Sequence, residues 1–292
     1  MKNSPRDGAP LTCKSKTDAL PIMLIVACIK QVPDTTQVKI DPVTNTLVRQ
    51  GIPIIVNPYD TNALEESLRL RERFGGRVVA LSMGPPNADI TLRKALALGV
   101  DDAVLLSDRV FGGADTLATS RVLSAAIEKL AQPDEPLLVV CGRQTIDGDT
   151  AQVGPGIATR MGLSQLTLVD SVQNIDLKAR RIRVRRKLEG RHEIVEAPLP
   201  ALLTVVREIN RPRYPTVPKR LEAITAAVKV WDNKVLNLDV NTIGLKGSPT
   251  GVRRIFSPER AKGEIVGDGI RDPDGAAGLL IEKLLAKDLL SR

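Results

Sequence analysis

The 292-residue sequence has few aromatic residues, three cysteines and a single histidine. Because aromatic residues make up only 2%, the core must be built from Val, Ile, Leu and Ala. The cysteines form no C-x-x-C pair, which favours neither a disulfide framework nor a zinc site, and we expect a reducing, cytoplasmic location. His192 alone leaves no histidine cluster for a metal and argues against a Ser-His-Asp triad. We expect it at the surface and expect no catalytic residue and no metal site.

The sequence also lacks a long apolar run, so we expect no membrane span. Residues 1–22 have no apolar core of the kind found in signal peptides, and we expect a disordered leader. We expect a nucleotide-binding α/β domain at 23–232 and a C-terminal arm and helix at 233–292. The last helix, predicted at 274–290, has an apolar face that either lies on another subunit or folds back on its own domain.

Basic residues outnumber acidic ones, 42 to 34, giving a net charge of +8. Residues 178–191 carry eight of the Lys and Arg residues. Alternation of arginine with Ile182 and Val184 predicts a half-buried strand with one solvated face. A nucleic-acid partner is one alternative, but no aromatic residues for base stacking accompany the charges, so we expect none. An acidic protein partner, a cofactor phosphate or a plain solvated face remain open.

Short apolar runs alternate with helical patterns in the first half of the chain. Strands are predicted at 23–29, 52–56, 78–82, 103–106 and 137–141. Helices are predicted at 62–74, 89–98, 115–130 and 151–161. In the helix at 62–74 we expect Asp60 or Thr61 as the cap and Glu65 and Glu66 facing outward. The pattern predicts βαβ units, hence an α/β fold with a parallel sheet covered on both faces.

The remaining segments follow a different pattern. Four strands at 165–169, 181–188, 192–196 and 201–206, with no helices between them, predict an antiparallel extension. Pro33 makes 30–34 a loop. Residues 41–51 are expected to form a surface hairpin or excursion. A further helix is predicted at 219–228, after a proline-rich loop at 210–218.

Residues 142–156 are rich in glycine and connect the strand at 137–141 to the helix at 151–161. Glycine allows close approach of the backbone to a ligand, and free N–H groups at a helix N-terminus bind anions. We expect phosphate contacts from backbone N–H groups, Thr150 and Gln152, with Asp147 and Asp149 shaping the loop. Asp149 or Thr150 would cap the helix. The alternative is a tight connection that binds nothing, since neither a Walker motif nor G-x-G-x-x-G is present.

Several other loops would share an edge with this segment. Right-handed crossovers place all strand-to-helix loops of a parallel sheet along one edge, where ligands bind. Cys28, residues 57–60, Met83 and residues 142–153 all fall on that edge. The sequence therefore predicts a nucleotide cleft there.

Four segments together resemble the β (small) subunit of electron transfer flavoprotein, and the similarity runs from Met23 to near the C-terminus. The segments are 28–34 (CIKQVPD), 56–60 (VNPYD), 142–155 (GRQTIDGDTAQVGP) and 244–250 (GLKGSPT). The resemblance implies an adenine-nucleotide α-hydrolase-like (Rossmann-like) fold and a heterodimer with an α subunit that the C-terminal arm embraces. It also implies that this subunit carries electrons and contributes no nucleophile of its own.

The resemblance further implies a nucleotide in the cleft, either structural AMP or, in electron-bifurcating members, FAD that accepts a hydride from NADH. The segment 147–155 looks like the bifurcating version, and the small Gly148, Ala151 and Gly154 would leave space for a diphosphate and ribityl chain. The cofactor-binding residues carried over by position are Cys28, Asn57, Pro58, Tyr59, Asp60, Met83, Gly142, Arg143, Gln144, Thr145, Ile146, Asp147, Gly148, Asp149, Thr150, Ala151, Gln152 and Val153.

One departure from the family concerns the partner-recognition segment, which corresponds to 214–225. Val217 stands where members that bind acyl-CoA dehydrogenase usually carry leucine, and most lysines of the helix are replaced. We therefore expect a flavoprotein dehydrogenase as partner without specifying its type, the acyl-CoA type being one alternative. Ferredoxin and flavodoxin are further candidate partners. A stand-alone adenine-nucleotide-binding regulatory protein on the same fold is the rival function.

Overall fold

The computed structural model describes residues 22–34, 53–251 and 263–290. The strands are β1 (Leu24–Cys28), β2 (Gln31–Pro33), β3 (Ile54–Val56), β4 (Arg77–Met83), β5 (Asp102–Leu106), β6 (Leu137–Gly142), β7 (Ser164–Asp176), β8 (Arg181–Leu188), β9 (Arg191–Pro198), β10 (Ala201–Val205) and β11 (Lys229–Trp231). The helices are α1 (Pro58–Phe74), α2 (Asp89–Leu98), α3 (Thr116–Leu130), α4 (Val153–Met161), α5 (Val217–Thr225), α6 (Asn233–Leu236) and α7 (Pro273–Ala286). The predicted excursion at 41–51 and nearly all of the predicted leader at 1–22 lie outside the described residues.

A nine-stranded sheet in the order β11-β5-β4-β1-β6-β10-β7-β8-β9 forms the centre of the fold. Pairing is parallel from β11 to β7 and antiparallel from β7 to β9. All five residues of β1 are buried, as expected of a strand covered on both faces. One face packs on α1 and α2 and the other on α3 and α4, giving two apolar clusters. The α/β class with a parallel sheet and an antiparallel extension is confirmed.

Strand β10 corrects the prediction that 201–206 belongs to the antiparallel half. It lies between β6 and β7 and runs parallel to both. All five of its residues are buried, which is the signature of a strand inside a parallel sheet. From β7 the chain therefore runs out to the sheet edge through the β8–β9 hairpin and returns to the interior as β10, so only β8 and β9 form the antiparallel edge.

Strands β2 and β3 correct the prediction of a loop at 30–34. Residues 31–33 pair antiparallel with 54–56 in a separate two-stranded sheet. Pro33 is compatible with this because a two-stranded sheet consists of edges, where a missing N–H is tolerated. The apolar run at 52–56 is consequently not a strand of the parallel sheet.

Helix α1 begins earlier than predicted and buries two acidic residues that were expected outside. Pro58 occupies its first turn, which needs no N–H, and neither Asp60 nor Thr61 is its cap. Glu65 and Glu66 are buried because the loop after β10 covers this face of the helix. Glu65 accepts hydrogen bonds from Arg69 (2.7 Å) and Arg213 (2.8 Å), so its burial is compensated.

Four other helices follow their predictions, three of them with shifted ends. Asp89–Leu98 and Thr116–Leu130 occur as expected, the first ending at a left-handed Gly99 and the second capped by Asp115. Helix α4 begins at Val153 rather than 151, and α5 spans Val217–Thr225 rather than 219–228. These shifts of one to three residues are of the size expected when helix boundaries are read from sequence alone.

The described C-terminal segment, residues 263–290, forms a unit of its own that contains α7. Asp272 caps the helix by accepting a hydrogen bond from the Gly275 N–H at 3.0 Å. No residue of α7 is buried, and Leu279, Leu280 and Ile281 are each about half exposed. Across the described ranges, no helix has both the length and the apolar character that crossing a bilayer requires.

Candidate functional site

A cavity of about 1000 Å³ opens at the carboxyl ends of β1, β4, β5 and β6. In an open parallel sheet this edge is where ligands bind, because the strand-to-helix loops diverge there. Its walls come from the residues that follow these strands and from the first turns of α3 and α4. The cavity therefore lies where the sequence placed the cleft.

The glycine-rich segment 142–152 forms one wall and is held from behind by Asn57. The fully buried Asn57 donates from its side-chain amide to the Gln144 carbonyl (2.8 Å) and accepts from the Ile146 N–H (3.2 Å). On the outer side, Lys30 Nζ contacts the Asp147 carboxylate at 2.7 Å. The segment is thus tied to both flanking loops rather than free in solvent.

The end of the segment adopts an unusual backbone that corrects the predicted helix cap. Asp149 and Ala151 both have φ of 55°, a left-handed conformation that is unfavourable for residues with a Cβ. Neither Asp149 nor Thr150 caps α4, whose N-cap is Gln152, and no side chain caps it. Gln152 instead accepts a hydrogen bond from the Thr116 hydroxyl at 2.8 Å. The N-terminus of α4 consequently faces the cavity without a side-chain acceptor of its own.

Asp60 joins three of the loops beneath the cavity. Its carboxylate accepts from the Lys30 N–H at 2.8 Å, and the Gly142 N–H and the Asn57 side chain also donate to it. Burial raises the pKa of Asp60 to about 7, against the lowering effect of these hydrogen bonds. Gly142 must be glycine here, because a Cβ would lie 2.3 Å from Asp60 Oδ1 and 2.7 Å from Tyr59.

Positive charge predominates among the side chains available to a ligand. Lys30, Arg109 and Arg143 line the cavity. The acidic side chains of the opposite wall are occupied: Asp115 caps α3 and also accepts from the Thr250 hydroxyl (2.8 Å), and Asp108 accepts from the Asn233 N–H (3.0 Å). Lys30 is itself paired with Asp147, so the arginines Arg109 and Arg143, beside carboxylates that are already engaged, are the groups that favour an anionic ligand.

The segment 244–250 supports the wall that follows β5 without lining the cavity itself. The Leu245 N–H donates to the Gly112 carbonyl at 3.0 Å, and Ser248 Oγ accepts from the Asp115 N–H at 2.8 Å. Gly244 has φ of 56°, and a Cβ there would lie 1.9 Å from the Val110 carbonyl oxygen. Close packing therefore requires this glycine, and the motif fixes the shape of the opposite wall.

Comparison with known proteins identifies the family. The electron transfer flavoprotein domain matches residues 44–236. The chain is 46% identical over 265 residues to protein FixA of Azotobacter vinelandii, covering 90% of this chain and 94% of that protein. It is 46% identical over 263 residues to the electron transfer flavoprotein subunit beta of Clostridium acetobutylicum, covering 90% and 98%.

The chain belongs to the electron transfer flavoprotein family. A further relative is the caffeyl-CoA reductase-Etf complex subunit CarD of Acetobacterium woodii, 45% identical over 271 residues that cover 92% of this chain and 100% of that subunit. The resemblance to the β subunit that the motifs indicated is confirmed, and with it the role of the family in electron transfer.

In this electron transfer flavoprotein chain, most of the residues carried over by position line the cavity. They are Cys28, Asp60, Met83, Gly142, Arg143, Gln144, Thr145, Gly148, Thr150, Ala151, Gln152 and Val153. The others lie behind or beside it: Asn57, Pro58, Tyr59, Ile146, Asp147 and Asp149. Tyr59 is covered by the Arg207 guanidinium, 4.9 Å from the ring centre, and Asp149 accepts a hydrogen bond from Gln144.

The structure changes the interpretation of one glycine. Gly154 was expected to leave space for a ligand, but a Cβ there would lie 2.7 Å from the Thr204 side chain. Its small size therefore serves the packing of α4 on β10. At Gly148 the nearest atom to a Cβ is the Thr145 hydroxyl oxygen at 3.5 Å, so packing within the chain does not require glycine there.

Sequence reasoning missed the wall that follows β5. Residues 107–116 contribute Arg109, Phe111 and the pair Gly112 and Gly113 to the cavity, and Lys30 was also left out. The rule that ligands sit at the carboxyl ends of parallel strands applies equally to β5 and could have indicated this segment. The pair of glycines just before the α3 cap was a second signal.

Proposed function

We propose that this chain is the β subunit of a heterodimeric electron transfer flavoprotein and that its cavity binds FAD. In this proposal the FAD accepts a hydride from NADH and the complex performs flavin-based electron bifurcation. The observation that carries it is the size of the cavity, about 1000 Å³. That volume lies at the upper end of the range of about 300–1,000 Å³ for small-molecule pockets, which favours a dinucleotide over a mononucleotide.

The charges and backbone groups around the cavity fit a diphosphate. The uncapped N-terminus of α4, Thr150 and Arg143 would hold it from one side, and Arg109 would approach from the other. The left-handed Ala151 adds support, because strained backbone persists mainly where surrounding structure or a ligand requires it.

The flavin supplies the chemistry when bound, accepting a hydride and releasing electrons. The residues of this chain position it and exclude water. Asn57 and Asp60 keep the loops at their present separation, and the segment 244–250 holds the opposite wall. None of these roles needs a nucleophile or a histidine.

Two exposed apolar surfaces support a role in an assembly with an α subunit and a dehydrogenase. On α5, Val217, Leu221 and Ile224 are 69%, 62% and 66% exposed and recur at helical spacing, so they form one apolar row. The exposed leucines of α7 form a second surface. A stand-alone nucleotide-binding regulator, the rival function, would have little use for either, because exposed apolar patches mark interaction sites.

Co-purification with the α subunit and quantification of released nucleotides tests the proposal. Two FAD per heterodimer is the expected result. A result of one FAD and one AMP per heterodimer would mean that the complex carries electrons without bifurcation and that this cavity binds AMP. A complex without any adenine nucleotide in this subunit would contradict both.

Charge variants locate the ligand within the subunit. Arg109→Gln and Arg143→Gln should each lower the retained nucleotide, since a phosphate would lose a cationic contact. Arg183→Gln, on the exposed face of β8, is the matched control and should retain the wild-type amount. Equal retention in all three variants would move the nucleotide out of this cavity.

A further inference from the structure

Cys28 and Cys141 lie directly opposite each other on neighbouring strands. Cys28 ends β1, Cys141 is in β6, and the two are Cα partners in the parallel pairing. In-register residues of parallel strands point to the same face, and both cysteines belong to the same apolar cluster. They are 8% and 6% exposed. The two thiols are therefore neighbours across adjacent strands of the sheet.

The spacing of the strands suits a bond between the two sulfurs. Neighbouring strands lie about 4.8 Å apart. Disulfides join cysteines whose Cα atoms are about 4.4–6.8 Å apart and whose Cβ atoms are about 3.5–4.5 Å apart, so the Cα spacing is in range and the bond requires the two Cβ atoms to lean toward each other. The thiols are free in the structure.

Both cysteines also line the cavity, which separates them from the inert cysteines of a closed core. A small oxidant that enters the cavity can therefore reach either sulfur. The two thiols are not equivalent: a hydrogen bond with Cys28, together with burial, raises the pKa of Cys141.

We propose that Cys28 and Cys141 are an oxidisable dithiol that peroxides convert to a disulfide at the floor of the cavity. One of the two sulfurs, as its thiolate, attacks one peroxide oxygen, breaking the O–O bond and giving a sulfenic acid and one water from hydrogen peroxide. The second thiol then attacks that sulfenic sulfur, forming the S–S bond and releasing a second water. Two thiols lose two electrons and two protons, which the peroxide takes up.

The disulfide would join the ends of β1 and β6 at the point where Asp60 already links them. Lys30 and Gly142, whose N–H groups donate to Asp60, follow the two cysteines closely in sequence. A ligand in the cavity would cover both sulfurs and slow the reaction. The proposal does not depend on which nucleotide that ligand is.

Peptide mapping without reductant tests the proposal on the full chain co-purified with its α subunit. A Cys13→Ser background removes the remaining thiol of this chain. After reduction, desalting and treatment with hydrogen peroxide, we expect one linked pair of peptides containing Cys28 and Cys141, lighter by two hydrogens and separated again by dithiothreitol. Bound adenine nucleotide should slow the linkage several-fold.

Single variants provide the control. Cys28→Ser and Cys141→Ser should each abolish the linked peptides, and Cys28 in the second variant should stop at sulfenic or sulfinic acid. Two thiols that remain fully alkylatable after peroxide, or separate overoxidation of each without linkage in the Cys13→Ser chain, would overturn the proposal. The mapping of the Cys13→Ser chain decides this even if a single variant fails to fold.

Discussion

Strands β1 and β8 belong to one sheet, yet the burial of their side chains differs. In β1 every side chain is buried, so chemistry can be placed only at or beyond its carboxyl end, where Cys28, Lys30 and the cavity lie. In β8 buried and exposed residues alternate, and the outward arginines are exposed. Doubly covered strands thus position a site at their ends, whereas a strand covered on one side presents a surface along its length.

Most of the basic side chains on the β8 surface form ion pairs with nearby acidic residues. Arg181 pairs with Glu196, Arg186 with Glu193 at 3.0 Å, and Lys187 with Glu208. Arg185 contacts Asp170 at 2.9 Å, and His192, exposed as expected, contacts the same carboxylate at 3.1 Å. The basic segment therefore needs no nucleic-acid partner to explain it, whereas Arg109 and Arg143 at the cavity face a space suited to an anion.

The largest expected effect concerns Asp60, at the cavity end of the sheet. Burial raises the pKa of Asp60 to about 7 in the folded protein from an ordinary value of 3.8, so ionisation between these pH values favours the unfolded chain. Relative to Asp60→Asn, the wild type should lose stability as pH rises from 4 to 7, by about 4 kcal/mol at about 1.4 kcal/mol per pKa unit. Denaturant unfolding of both proteins across this range measures the difference. A difference that stays constant with pH would contradict the burial of the carboxyl.

Ile182→Ala tests the covered face of β8. Ile182 is fully buried, so its truncation should destabilise the protein by about 2–5 kcal/mol through lost burial and a residual cavity. Unfolding in denaturant measures this, and nucleotide bound per folded molecule should stay unchanged because the residue is remote from the cavity. Arg183→Ala, the next residue and on the exposed face, is the control and should have little effect. Equal losses in the two variants would refute the one-sided burial of this strand.

Gly142→Ala should destabilise by about 1–3 kcal/mol, because its Cβ would overlap Asp60 and Tyr59. Gly148→Ala is the matched control in the same segment, where a Cβ meets only the Thr145 hydroxyl at an ordinary 3.5 Å. We expect Gly148→Ala to change the unfolding free energy by less than about 0.5 kcal/mol, yet to lower nucleotide retention. Thermal unfolding and nucleotide quantification separate the two effects. Similar destabilisation by both would show that the segment as a whole, rather than Gly142, is tightly packed.

Arg181→Ala should have the smallest effect. Its ion pair with Glu196 is about half exposed on both sides, and such pairs contribute less than about 1 kcal/mol and are weakened by salt. Unfolding at low and high ionic strength measures the contribution. A loss as large as that of Ile182→Ala would mean that the exposed charges, and not the buried face, hold the hairpin in place.

Local patterns predicted the elements better than their partners. The strands at 78–82 and 137–141 and the helix at 89–98 could be predicted because the residue pattern of each segment shows burial on both faces or helical periodicity. The position of β10 in the sheet could not be predicted, since a strand that follows a hairpin in sequence looks like the hairpin's continuation. The role of Asn57 was also hidden, because its partners Gln144 and Ile146 are far away in the chain.

The sequence by itself determined the alternation of strands and helices, the edge at which their loops meet and the four motifs that mark the family. Only the tertiary structure decided that β10 lies inside the parallel sheet and that Cys28 faces Cys141. The reason is physical: hydrophobic periodicity and turn chemistry act between neighbours in the chain. Burial of Asp60 and the pairing of β1 with β6 arise from contacts between distant segments, which exist only once the chain has folded.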